Sequence, residues 1–500
     1  MNRNLKKVFG GAAVVFAMTL GGAFFHFLLR VLLARKLPVE GFGLFYAILG
    51  FLTPIGVLKN LGVNMAMTRY LPVFQAEGRR ERMKEALNIC LMLSLSTSLL
   101  VVVPVFFLSD RLAVGYFKAP EAESALKVML LYMAVGALGG VLGAFFNGLK
   151  RPVLLSTRAL GVSLAVLIMI VSAGSIDVRK VCIIHVAAEG LLLLVSVLLL
   201  FSVFPYFKVR TSFSLSGFKR LLSFGLKAIT SHLVNRIFGH LDILILTLFK
   251  NLAQVGFYSA AQPFSRLFII LGSSIGKMML PVSSEIFSSG DRRELQNLLR
   301  NVQRVVLFAM MPIGVVLFLF SAELLQLIFG RSYEAGSLVV RLLVVGCLLH
   351  SLTVINTYVI IGIGHPLTVT KMTTIQSLVN LGGNVAFIPF WGINGAALAT
   401  LLAYWFMFLS SCRYVRNLVG YAFDWEILGK ITLSSLAMFT LLKGARFCLP
   451  EVPAIPFFLV ALPVSFCVYL LVSFVTGLVS RRDFKRILGE FTNRWRGRDL

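Results

Sequence analysis

Apolar runs of roughly 20 residues recur from one end of this chain to the other, each as long as a helix needs to cross the hydrocarbon core of a bilayer. A helix completes its own backbone hydrogen bonds, so such runs read as transmembrane helices. About fourteen are legible, over residues 8–33, 42–68, 86–108, 126–148, 152–174, 181–204 and 221–247 in the first part of the chain. They continue over 254–280, 303–321, 338–361, 367–388, 391–412, 428–447 and 455–478. The fold class is an all-α polytopic membrane protein. Of the 500 residues, 58% are hydrophobic and only 14% charged, too little polar surface for a soluble chain of this length. The first run has a basic flank and no small-residue cleavage site, so it reads as an uncleaved span.

The net charge of +27 could point to nucleic acid. Its distribution points to topology instead. If the N-terminus is cytoplasmic, the inside segments hold most of the lysines and arginines, among them Arg79, Arg80, Arg82 and Lys84, then Arg292, Arg293, Arg300 and Arg304. The outside loops hold about ten. That is the positive-inside bias, and it places both termini in the cytoplasm of a chain set in the cytoplasmic (inner) membrane. The basic tail, 481–500, puts Phe484, Ile487, Leu488, Phe491 and Trp495 on one helical face, as a helix lying on an anionic membrane surface would. The six cysteines are dispersed without ligand spacing, so neither a metal site nor a disulfide framework is expected.

The chain also repeats itself at an offset near 210 residues. Gly43-Leu44-Phe45 aligns with Gly256-Phe257-Tyr258, Leu71-Pro72-Val73 with Leu280-Pro281-Val282, Pro104 with Pro312, and Pro152 with Pro366. Six spans per copy is an even number, so both copies enter the membrane in one orientation, related by a pseudo-two-fold along the membrane normal. The expected organisation is a six-helix lobe over 1–210, a second over 211–418, two additional spans over 419–480 and the tail. Paired lobes of this kind rock to give alternating access.

Polar stripes inside the spans carry the functional signal. In "SHLVNRIFGHLD" the residues His232, Asn235, Arg236 and His240 share one side of a helix, with Asp242 at its edge. A charge at mid-bilayer costs roughly 2.5–3.5 kcal/mol on insertion scales, so this side must face protein or a wet cavity. The first span carries His26 and Arg30, the second Asn60 and Asn64, the tenth Asn356, and the eleventh Asn380 and Asn384; Arg158 and Arg266 lie within the fifth and eighth. Among deep groups, bases outnumber the acids Glu189 and Asp242. An electropositive cavity suits phosphate, which the arginine fork binds bidentately. Amide side chains suit sugar hydroxyls, which donate and accept. The substrate expected from the residues is anionic, phosphate-bearing and glycosylated. The same residues have another use: a buried arginine can brace helices through backbone carbonyls, asparagine stripes can join helices, and His185 and Glu189, four apart, can pair within one helix.

"IPFWGINGAALATLLAY" (Ile388 to Tyr404), "GFGLFYA", "VGFYSAA" and the turns near Pro152 and Pro366 resemble sequences of the multidrug/oligosaccharidyl-lipid/polysaccharide exporter superfamily, most of all its polysaccharide (O-antigen-type) repeat-unit flippases. The resemblance covers essentially the whole chain and rests on short motifs. It implies a flippase, not an enzyme, that moves a polyprenyl-diphosphate-linked oligosaccharide from the cytoplasmic to the outer leaflet. It also implies two lobes in a V, and an extra pair of spans able to line a groove for a lipid tail. The implied partners are the lipid-linked glycan, membrane lipids and other polysaccharide-assembly proteins. No cofactor is expected, but relatives couple movement to a proton or sodium gradient; Asp242 and Glu189 are the candidates to carry the ion, and a structural salt bridge is the other reading of each. Two relatives within the superfamily compete, a lipid II flippase and a multidrug or cation antiporter, the latter disfavoured by the scarcity of deep acids. A membrane glycan polymerase or ligase fits less well, since no nucleophile–base motif or large external loop is present.

Overall fold

The computed structural model describes residues 21–149, 152–210 and 213–478, without the side chains of residues 58, 152–157, 159 and 230–238. All regular structure among the described residues is helical. In chain order the helices are α1 (21–36), α2 (Val39–Ile55), α3 (Val63–Ala76), α4 (Arg80–Phe107), α5 (Ser109–Gly115), α6 (Ala122–Gly148), α7 (Pro152–Ser172) and α8 (Val178–Val203). They continue as α9 (Leu215–Phe238), α10 (Leu241–Phe249), α11 (Leu252–Ser288), α12 (Arg292–Leu319), α13 (Ser321–Phe329), α14 (Ser337–Gly362), α15 (Pro366–Val419), α16 (Trp425–Cys448) and α17 (Ala454–Val475).

Nine stretches among the described residues are long and apolar enough to cross a membrane. One of them, α15, is two spans joined across Gly392, whose φ of 54° and ψ of −128° are not helical. The remaining spans read from the sequence are the shorter apolar helices α2 and α7 and the regions of α1 and of α9–α10. The basic tail lies outside the described residues.

Two spans that read as continuous in the sequence are broken. The second stops at Ile55, passes through a 3-10 turn at Leu58–Asn60 and resumes at Val63. Gly62 makes this possible: its φ is +74°, and a Cβ there would strike the carbonyl of Gly225. The seventh breaks between Phe238 and Leu241. Irregular backbone at membrane depth persists only where protein or water satisfies it. At the first break the freed Lys59 carbonyl accepts from the Thr97 and Ser98 hydroxyls of α4. Near the α15 break the Pro389 carbonyl accepts from Lys250 Nζ at 2.8 Å.

By contacts the chain forms two packing units. The first runs to Ala260 and adds residues 328–333 and 384–396; its core packs α3, α4 and α6 around Leu87 and Phe145, both fully buried. The second comprises 261–327, 334–383 and 397 onward, with α16 and α17 packed on each other and α12 on α14 and α16. The sequence halves 1–210 and 211–418 are a different kind of division: repeats are defined by likeness along the chain, packing units by contact.

Candidate functional site

In the first unit a polar cluster gathers on the glycine face of α6, halfway along that span. Gly136, Gly139 and Gly140 fall on one side of the helix and, having no side chains, leave a shallow trough. Other elements fill it. Arg158 of α7 lies so close to Gly139 that a Cβ there would meet its guanidinium. Where a Cβ of Gly136 would stand, Glu189 Oε1 of α8 is 3.3 Å away and Lys59 Nζ, from the break in the second span, 3.8 Å. At Gly140 the corresponding neighbours are the amide nitrogens of Asn64 at 3.1 Å and Asn60 at 3.6 Å.

Arg158 forms an ion pair with Glu189, with side chains only 15% and 6% exposed. Breaking a buried pair by removing one partner costs about 3–5 kcal/mol. The pairing joins α7 to α8. It stands in place of the alternative pairing of Glu189 with His185 within α8; His185 Nδ1 lies 2.8 Å from the Val181 carbonyl. Arg158 Nε and Asn64 Oδ1 are buried without a hydrogen-bond partner, one spare donor and one spare acceptor. Asn60 is tied down, its Oδ1 accepting from Ser94 of α4 at 2.7 Å. The cluster thus holds two cations, one carboxylate and two amides.

Lys59 and the glycine trough are the parts sequence reasoning missed. The signal was present: a lysine inside an apolar span, and "GALGG" at helical spacing in the fourth. Which helices would face that trough was not readable.

A second polar knot sits at the break between α9 and α10. Asp242 lies in the first turn of α10, where unpaired N–H groups favour a carboxylate. Its Oδ2 accepts from Tyr258 at 2.5 Å and its Oδ1 from the Asn384 amide at 2.7 Å. His240 is the residue that caps α10 and is half-buried. The side chains of His232, Asn235 and Arg236 lie outside the described residues, although the α9 backbone that carries them is helical.

Arg30 is buried and engaged: its Nη1 donates to the Ser259 carbonyl at 2.6 Å, its Nε to Tyr46 Oη at 3.1 Å, and its guanidinium lies 4.3 Å from the Tyr46 ring centre. This is the bracing alternative, here joining α1 to α2 and α11. His26, one turn earlier, is exposed.

The other candidates belong to the second unit. Asn356 is fully buried in a closed network: it accepts from Gln303 at 2.8 Å and donates to Ser411 at 3.0 Å, while Gln303 accepts from Tyr421 at 2.9 Å. Tyr421 lies in the connection before α16, and burial pushes its phenol up to about 12, so it stays neutral and keeps donating. Asn380 donates to Thr400 at 3.2 Å, and Arg266 is exposed, its Nη2 3.3 Å from Gln262 Oε1.

Over residues 32–337 the sequence matches the family model for polysaccharide biosynthesis proteins. The chain belongs to that family. It is 25% identical to MJ1068, an uncharacterized membrane protein of Methanocaldococcus jannaschii, over 79% of its own length and 82% of the relative's. It is 24% identical to Agl15, a probable low-salt glycan biosynthesis flippase of Haloferax volcanii, over 48% of this chain and 51% of that one. Its fold matches that of the lipid II flippase MurJ in an inward closed conformation, with a TM-score of 0.74 at 18% identity, covering 95% of this chain and 99% of MurJ. It also matches an inward-facing multidrug resistance transporter of the MATE family, with a TM-score of 0.66 at 14% identity over 82% of this chain and 98% of the other. At these identities the structural likeness is one of fold. The chain is thus a multi-pass membrane protein of this family, with the fold that the MurJ and MATE structures share.

Proposed function

We propose that this chain carries an anionic, lipid-linked oligosaccharide on a polyprenyl diphosphate from the cytoplasmic to the outer leaflet of the cytoplasmic membrane, by alternating access, with both of its ends in the cytoplasm. The observation that carries this reading is the cluster on α6: Arg158, Lys59, Asn60 and Asn64 gathered around a single carboxylate halfway along a span. Cations in excess suit a diphosphate. A spare buried donor at Arg158 Nε and a spare acceptor at Asn64 Oδ1 suit hydroxyl groups, which supply both partners. Membership of a polysaccharide biosynthesis family, and relatives named as glycan and lipid II flippases, support the same class of cargo.

Coupling belongs to the same proposal. Glu189 and Asp242 are the candidate carriers of a proton or sodium ion, and each is held by a partner that would have to release it: Arg158 for Glu189, Tyr258 and Asn384 for Asp242. The partners in this reading are the glycolipid, the surrounding lipids and the enzymes that build and receive the glycan.

The test uses the purified chain in liposomes loaded with a polyprenyl-diphosphate sugar, following headgroup crossing with and without a pH or sodium gradient. Wild type should accelerate crossing, and Arg158→Ala/Glu189→Ala, which removes both buried charges together, should abolish it in a protein that still folds. Arg236→Ala is the companion variant for the polar side of α9. Crossing that lipid II competes away more strongly than the polyprenyl-diphosphate sugar would assign the cargo to peptidoglycan precursors. Transport of a cationic dye with no headgroup crossing would overturn the proposal in favour of a multidrug antiporter.

A further inference from the structure

The last two spans have no counterpart in the repeat. At the end of the second unit where the connection between α16 and α17 turns, the first of them, α16, and that connection help line a cavity of about 800 Å³. Its walls come from the end of α12, the start of α13, the beginning of α14 and the last turns of α16, so it lies at the ends of apolar helices, where a span would meet the headgroups. Three cations line it, Arg341, Lys443 and Arg446, against one carboxylate, Glu323. Among the described residues Glu323 pairs with none of the three.

Cations near helix ends commonly extend to water with their stems on apolar surface. Two of these do something more specific. Arg341 Nε donates to the Ser321 hydroxyl at 2.9 Å, and Arg446 Nη1 to the Val452 carbonyl at 2.7 Å. Each guanidinium is therefore aimed by a neighbouring segment and keeps further N–H donors for an anion. Beside them are the rings of Phe318, Phe320 and Phe439. Phe447, also part of the lining, is 86% exposed, so the cavity is open at this apolar ring.

We propose that this cavity binds the phosphate of an anionic phospholipid, with the acyl chains lying over Phe447 and Phe318. Basic pockets between transmembrane helices are suited to anionic headgroups, and resident phospholipid keeps its phosphate at this depth throughout the leaflet. The site stands apart from the transport reading. With both ends of the chain in the cytoplasm, as proposed above, it would lie in the outer leaflet.

The experiment reconstitutes the full chain in nanodiscs of equal phosphatidylglycerol and phosphatidylcholine, extracts it gently and measures retained lipid by native mass spectrometry. Phosphatidylglycerol should be retained about ten-fold over phosphatidylcholine, and Arg341→Gln/Lys443→Gln should lower that preference about five-fold or more. Lys430→Gln, at the other end of α16, should leave it unchanged. Lys443 is exposed, so Lys443→Glu alone keeps the test decisive if the double variant fails to fold. Equal retention of both lipids by wild type, or a preference indifferent to the substitutions, would overturn the proposal. So would displacement of phosphatidylglycerol by equimolar polyprenyl phosphate, which would make the occupant the carrier lipid.

Discussion

Arg158 and Glu189 are the residues on which the candidate site turns, because they form a nearly buried ion pair inside the span. Arg158→Ala alone should strand a buried carboxylate and destabilise the protein by about 3–5 kcal/mol, whereas Arg158→Ala/Glu189→Ala should recover most of that loss. Thermal unfolding in detergent measures the difference, and a double variant no more stable than the single one would mean the pair is not coupled. Asn356 gives the contrast. Its network with Gln303, Ser411 and Tyr421 satisfies every member, so Asn356→Ala should cost about 1–3 kcal/mol by orphaning the Gln303 amide, while headgroup crossing per folded molecule stays near wild type. In the sequence both asparagine and arginine read as polar groups inside spans. Neither residue type announces whether its partners are protein atoms or cargo.

At the scale of elements, the breaks in the second and seventh spans matter more than the regular helices. The break at 56–62 delivers Lys59 and Asn60 to the α6 trough, and Gly62 holds it with a left-handed backbone against Gly225. Gly62→Ala combines an unfavourable φ with a backbone clash, so it should lower thermal stability and transport together. Gly190→Ala, with nothing within 4 Å of the added Cβ, should be silent in both measurements. Equal behaviour of the two variants would show that the break has no structural role. The first and second copies of the repeat differ here: the second span is interrupted, whereas its counterpart α11 runs unbroken from Leu252 to Ser288 despite Pro263 and Pro281.

For the whole molecule, the orientation inferred from charge has a native probe. Cys448 ends α16 and is exposed, while Cys90, Cys182 and Cys347 are buried. A membrane-impermeant maleimide should label Cys448 in intact cells and not in sealed inside-out vesicles. The reverse pattern would invert the topology, and with it the direction proposed for the cargo.

The sequence by itself determined that this chain lives in a bilayer, that it is helical and that it crosses about fourteen times, because the length and apolarity of a span are local properties that no neighbour can alter. It also marked most of the polar residues of interest, since helical periodicity shows which side of a helix a residue occupies. Tertiary structure decided everything that depends on what faces that side. It paired Glu189 with Arg158 and not with His185, committed Arg30 to Tyr46 and Ser259, closed Asn356 into a network, and gave Lys59 a place beside Gly136. The physical reason is that a polar group in a membrane must find a partner, and which partner it finds is set by helix packing between residues far apart in the chain, not by spacing along one helix.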